Sequence, residues 1–172
     1  MKKIIAMLLV LTLALTAFAG CGKPAPKTNL TGTTAEILAE INKKVPIEIM
    51  TMDAGVKEGG LPTYGFCDLT EEEFNKLIVE GDFTTNAISS MYHHIIVLKF
   101  NDEKDVATYK EKFAKIVKEF PYVCGSPQAY YVNDSGNYLY FAITFDDYVD
   151  KFAKAFEELS GTFGKAITGV IE

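Results

Sequence analysis

The chain has no arginine and no tryptophan, and only three cysteines and two histidines in 172 residues. Without arginine it lacks the planar fork that grips phosphate or carboxylate bidentately, so every basic side chain is a lysine point charge. There is no C-x-x-C, which removes a thioredoxin-like redox motif and a zinc ribbon. No G-x-S-x-G, H-E-x-x-H or Walker sequence occurs, so no nucleophile elbow, zinc helix or phosphate loop is expected. Positive charge is also short, with 17 lysines against 23 acidic residues. Such a balance argues against nucleic acid as a partner and against a polybasic grip on anionic lipid. Internal repeats and low-complexity tracts are absent. Twelve Phe and nine Tyr supply the large apolar surfaces that Trp does not.

Against this background the first 22 residues stand out. Lys2 and Lys3 give a positive start, and Ile4 to Ala19 is apolar except for Thr12 and Thr16. Phe18-Ala19-Gly20-Cys21 closes the run. A charged n-region, an apolar h-region and small residues before a cut describe a secretory signal. At 16 residues the run falls short of the roughly 20 that span a bilayer. Gly20, Gly22, Pro24 and Pro26 would also break a helix at its exit. Ala19-Gly20-Cys21 resembles the lipobox of bacterial lipoproteins. That resemblance implies cleavage before Cys21, acylation (palmitate) on its sulfur, and a lipid-anchored domain on the extracytoplasmic face of the cell membrane. One acyl chain binds a membrane only marginally, whereas two or three anchor stably.

The expected organisation is a signal peptide over 1–20, a lipidated tether over 21–32 carrying Pro24 and Pro26, and a single domain over 33–172. Cleavage leaves 152 residues with 15 lysines and 23 acidic residues, a net charge of −8. That length holds one domain with a real core. With Cys21 assigned to lipid, Cys67 and Cys124 remain. Outside the cytoplasm they are a candidate disulfide, and the alternative is two unpaired small core residues.

Two capping boxes are legible, Thr33/Glu36 and Thr70/Glu73. The first opens a helix with Ile37, Leu38, Ile41 and Val45 on one face, ended by Pro46. The second opens a helix with Phe74, Leu77 and Ile78 on one face, stopped by Gly81. Ile47 to Met52 alternates weakly and reads as a short strand. Gly-rich Asp53 to Cys67 reads as a loop, and Asp82 to Ser90 as irregular. Tyr92 to Phe100 is a β-branched and aromatic strand. A helix from Asp102 carries Val106, Tyr109, Phe113, Ile116, Val117 and Phe120 at helical spacing. Ala129 to Val132 and Tyr138 to Phe145 flank Asn133-Asp134-Ser135-Gly136 as a hairpin. Asp147 caps a last helix with Val149, Phe152, Phe156 and Leu159 inward and Gly161 past its end, and Ala166 to Ile171 is a candidate closing strand that the pattern leaves open.

The fold class is therefore α+β. From Tyr92 the order β-α-β-β-α(-β) is ferredoxin-like, an antiparallel sheet with helices on one face, preceded by two short helices. In that arrangement Leu139, Phe141 and Ile143 face Val106, Phe113 and Val117 of one helix and Phe152 and Phe156 of the other. Tyr138 and Tyr140 point to the opposite face, where they are covered by the N-terminal helices or form a binding surface. The Cys21 lipobox, the helix Ala35 to Lys44, the strand Ile95-Ile96-Val97-Leu98-Lys99 and the opening Gly136-Asn137-Tyr138 together resemble a family of short bacterial lipoproteins grouped as a domain of unknown function. That resemblance implies an envelope address and transfers no catalytic residue.

Chemistry-bearing candidates are few. His93 and His94 are adjacent, and neighbours on a strand point to opposite faces, so the two do not chelate one ion. Asp146, Asp147 and Asp150 supply carboxylates, but helix capping and dipole complementarity account for them, and no EF-hand loop is present. The expected function is a non-enzymatic binding or envelope-interaction module. Its partners would be the membrane, through lipid on Cys21, and an envelope protein or cell-wall ligand; no cofactor, metal or nucleic acid is expected. The competing class is a small hydrolase-like enzyme using His93 or His94 with a carboxylate or thiol.

Overall fold

Both capping boxes form, and they set where the first two helices begin. Thr33 accepts from the Glu36 amide, Glu36 returns a bond to the Thr33 amide, and α1 runs Thr34–Lys44. Thr70 and Glu73 do the same for α2, Glu71–Leu77. The computed structural model describes residues 28–57, 69–88, 92–119 and 127–171. The expected signal, most of the expected tether, Cys21 and the candidate bridge Cys67–Cys124 lie outside the described residues.

The remaining elements are β1 (Thr51–Gly55), β2 (Ile78–Asn86), β3 (His94–Phe100), α3 (Glu103–Glu119), β4 (Ala129–Ser135), β5 (Tyr138–Thr144), α4 (Asp146–Ser160) and β6 (Ile167–Val170). The strands form one antiparallel sheet in the order β1-β2-β3-β5-β4-β6. The β4–β5 turn is only Gly136-Asn137, because Asn133, Asp134 and Ser135 pair as strand. Gly136 has φ 60°, the positive value a tight hairpin turn requires at its first position. The last helix starts one residue before Asp147 and lacks a side-chain cap, and Gly161 ends it with φ 65°.

The α+β class and the antiparallel sheet hold, but the helices occupy both faces. Leu139, Phe141 and Ile143 pack with Val106, Phe113 and Val117, as the periodicity indicated, and α2 covers the same face through Phe74. Phe152 and Phe156 lie on the other side, where α4 and α1 enclose Tyr138, Tyr140, Ile95 and Val97. The cause is the place of the last strand. In a ferredoxin-like sheet it would return to the free side of β3. Here β2 occupies that side and β6 pairs outside β4. The β3-to-β4 and β5-to-β6 crossovers each join parallel strands and step the same way across the sheet, but the first pair runs opposite to the second. Right-handed crossovers, the near-universal choice, then put α3 and α4 on opposite faces. A sheet covered twice must be apolar on both sides, and all of β5 is buried.

The largest departure from the sequence reading is β2. Residues expected to end a helix and continue irregularly form a nine-residue strand. It pairs on both sides, with β1 and β3. Its polar side chains are bonded on the α1 side. Glu80 accepts from the Thr34 amide at 3.0 Å and Asp82 from the Thr34 hydroxyl. The Thr84 hydroxyl donates to Asp53 at 2.5 Å and accepts from Asn42 at 2.6 Å. Gly81 is required by close approach, since a Cβ there would lie 2.7 Å from Leu98 and 2.8 Å from Val56. The expected strand over Ile47 to Met52 begins instead at Thr51, and Asp53 is in it.

Candidate functional site

The two tyrosines expected to offer a binding surface are core residues. Tyr138 is 4% exposed and Tyr140 0%. The Tyr140 ring stacks on Phe156 at 4.5 Å and 8°, and its hydroxyl reaches the Phe152 carbonyl at 3.4 Å. Burial holds that phenol well above its ordinary pKa. Tyr138 carries the Lys99 ammonium over its ring at 5.3 Å. Their removal from the surface follows from α4 crossing to their face, which corrects the expectation of a Tyr-bearing patch.

The histidines do fall on opposite faces. His93 Nδ1 lies 2.9 Å from the Thr144 hydroxyl and the ring packs 5.4 Å from Phe152. His94 Nδ1 lies 2.8 Å from the Thr85 hydroxyl. Burial, and secondarily the charge of His94, depresses the His93 pKa to about 4. Burial alone brings His94 to about 4. Both imidazoles are therefore neutral at pH 7. Each is bonded to a threonine hydroxyl rather than to a carboxylate, and Cys67 and Cys124 lie outside the described residues. Asp146, Asp147 and Asp150 sit exposed in the first turns of α4, where they complement the helix dipole.

The most developed polar constellation is one the sequence reading did not single out. Lys110 lies on the inward stripe of α3, one turn after Val106, with its side chain 8% exposed. Its ammonium donates to Asp134 Oδ1 at 2.5 Å and to Asn133 Oδ1 at 3.2 Å. Asn133 Nδ2 donates to the Tyr131 hydroxyl oxygen at 2.7 Å, and that hydroxyl donates to Glu157 at 2.8 Å. A continuous polar chain thus runs from α3 around the end of β4 to α4. Burial raises the Tyr131 pKa, the Asn133 bond opposes this, and Glu157 adds to it. The chain can pass there because β4 pairs with β6 from Ala129 to Val132 and no further. Beyond that point the loop before β6 crosses, with the Gly164 amide donating to the Asp134 carbonyl at 2.8 Å. A Cβ on Gly164 would run into the Asp134 carboxylate. The available signals were a lysine at a stripe position and an Asn-Asp pair that reads equally well as a turn.

Beside this chain a cavity of about 470 Å³ opens between α3 and the start of β6. Ala107, Lys110 and Glu111 form one wall, Asp134 the floor, and Lys165 to Thr168 the other wall. Ile167 packs against the core and Thr168 is exposed.

A second groove, of about 400 Å³, lies between the end of α1 and α4. Lys44 pairs with Glu158 at 2.9 Å, Lys154 approaches the same carboxylate at 3.9 Å, and Lys151 stands 4.4 Å over Tyr148. Only the Lys44–Glu158 pair crosses between the helices, the other two contacts lying within α4; exposed pairs of this kind contribute only about 0–1 kcal/mol. Among the described residues no cluster of His, Cys, Asp or Glu is arranged to hold a metal ion. No family model, curated protein or solved structure matches the chain.

Proposed function

We propose that this protein is a lipid-anchored, extracytoplasmic binding module of the bacterial cell envelope, acting without catalysis. The observation that carries the reading is the sequence Lys2-Lys3, the apolar run to Ala19, and Ala19-Gly20-Cys21 behind it. Its physical content is a segment too short to span but followed at once by a thiol that can carry acyl chains. No helix among the described residues is long and apolar enough to cross a membrane. The binding reading draws its support from the α3–β6 cavity, a concave site with charged walls and an apolar side. The enzyme reading has less support, because His93 and His94 point to opposite faces and engage Thr144 and Thr85.

The test is acylation. Cys21→Ser should abolish incorporation of labelled palmitate and move the protein from the detergent phase to the aqueous phase. Label that persists on the Cys21→Ser protein refutes the anchor.

A further inference from the structure

We propose that the α3–β6 groove captures the C-terminal end of an extended peptide. The peptide adds to β6 as a further antiparallel strand, and its terminal carboxylate is held at Lys165. This deepens the binding-module reading and rests on it, but not on the lipid anchor.

The edge is the first argument. Among the described residues β6 pairs with β4 alone, so its outer side presents backbone donors and acceptors that an added strand would satisfy. Exposed edges of this kind bind extended peptides through main-chain bonds, with alternate side chains entering neighbouring pockets. The cavity of about 470 Å³ along α3 is such a pocket.

Direction is the second argument. Every neighbouring pair in this sheet is antiparallel. A strand added to β6 in the same sense brings its own C-terminus to the N-terminal end of β6. That end is where Lys165 and Lys110 line the cavity.

Charge then assigns the roles. Lys110 is committed to Asp134 and is nearly buried, so it neutralises the floor. Lys165 is exposed and supplies the cation for an incoming carboxylate. Glu111, on the opposite wall, disfavours acidic side chains on the peptide and favours neutral or basic ones. The added strand's other side chains would lie along Thr168 and Val170, and Val170 is 66% exposed.

The experiment uses the full chain in detergent micelles. Fluorescein-labelled hexapeptides of randomised sequence are synthesised as two arrays, one with free carboxylates and one amidated, and binding is read by polarisation. The expected result is a set of binders in the free-carboxylate array, weakened at least about tenfold by amidation and by Lys165→Gln. Amide resonances of Ile167 to Val170 should shift on titration. Lys165 is exposed, so an unchanged thermal midpoint in Lys165→Gln shows that the variant is folded. The proposal is overturned by an array with no binders, by binding indifferent to amidation and to Lys165→Gln, or by self-association through β6 that excludes peptide. Palmitate labelling at Cys21 is read separately, so a failed titration leaves the anchor standing, and a failed labelling leaves the peptide site standing.

Discussion

His93 gives the chain an acid sensitivity that begins well above the carboxylate range. Its pKa is 6.5 as an unperturbed imidazole and about 4 in the fold, because burial against Phe152 disfavours the charged ring. The unfolded chain therefore binds the proton that the native state refuses, and stability falls as pH drops from 6.5 toward 4. Each tenfold in proton affinity is worth about 1.4 kcal/mol, so the full cost below that window is about 3 kcal/mol, and the part lost between pH 7 and 5 is about 2 kcal/mol. His94 acts in the same direction, with a smaller effect because it is partly exposed. Glu73 is held below its ordinary carboxylate value by its bonds to Thr70, and Glu158 by Lys44, so neither opposes the loss on the way down from neutral pH. The assay is urea unfolding at pH 7, 6 and 5 on the native sequence and on His93→Gln. Gln can still bond the Thr144 hydroxyl but does not titrate. The native chain should lose stability over this range, and the variant should lose much less. Equal slopes in the two proteins would refute the reasoning.

Two further perturbations test the packing. Asp134→Ala strands the buried Lys110 ammonium and should cost toward the lower end of roughly 3–5 kcal/mol, since Asp134 is partly exposed; Lys110→Met should cost less, because the carboxylate left behind can reach water. Chemical denaturation of both variants checks the asymmetry, and a larger cost for Lys110→Met would invert it. Phe141→Ala removes a ring that is 0% exposed and packs 5.0 Å from Phe113, and should cost about 3–5 kcal/mol. An unchanged unfolding curve would mean that Phe141 is not in the core.

Local signals were read well where the physics is local. The capping boxes at Thr33 and Thr70, the inward stripe Val106-Phe113-Val117 and the alternation of Leu139, Phe141 and Ile143 depend on neighbours a few residues away, and each appears in the fold. The strand β2 failed because its pattern is inverted. Glu80, Asp82 and Thr84 alternate toward α1, while the core side beyond Ile78 and the following irregularity is only Gly81 and Phe83. Polar side chains whose partners are 31 to 48 residues away look like a loop. The faces of α3 and α4 turned on where β6 pairs, a long-range choice that no window of sequence contains. The Lys110 chain was missed for a related reason. A lysine on an apolar stripe becomes informative only once Asn133 and Asp134 are known to lie in a strand.

The strand order has a consequence for how the chain must be made. The sheet is two antiparallel halves, β1-β2-β3 and β5-β4-β6, sewn together along β3 and β5. Ile95, Ile96, Val97 and Leu98 are all 0% exposed in the finished molecule. Until β5 arrives, the leading half presents those residues as an open edge that is hydrophobic on both sides, the kind of template that pairs with other chains. Each half leaves one side of that seam unpaired, so a chain cut between α3 and β4 should aggregate rather than fold. Under the export proposed above, such an edge favours delivering the polypeptide unfolded and letting the seam close only when both halves have crossed.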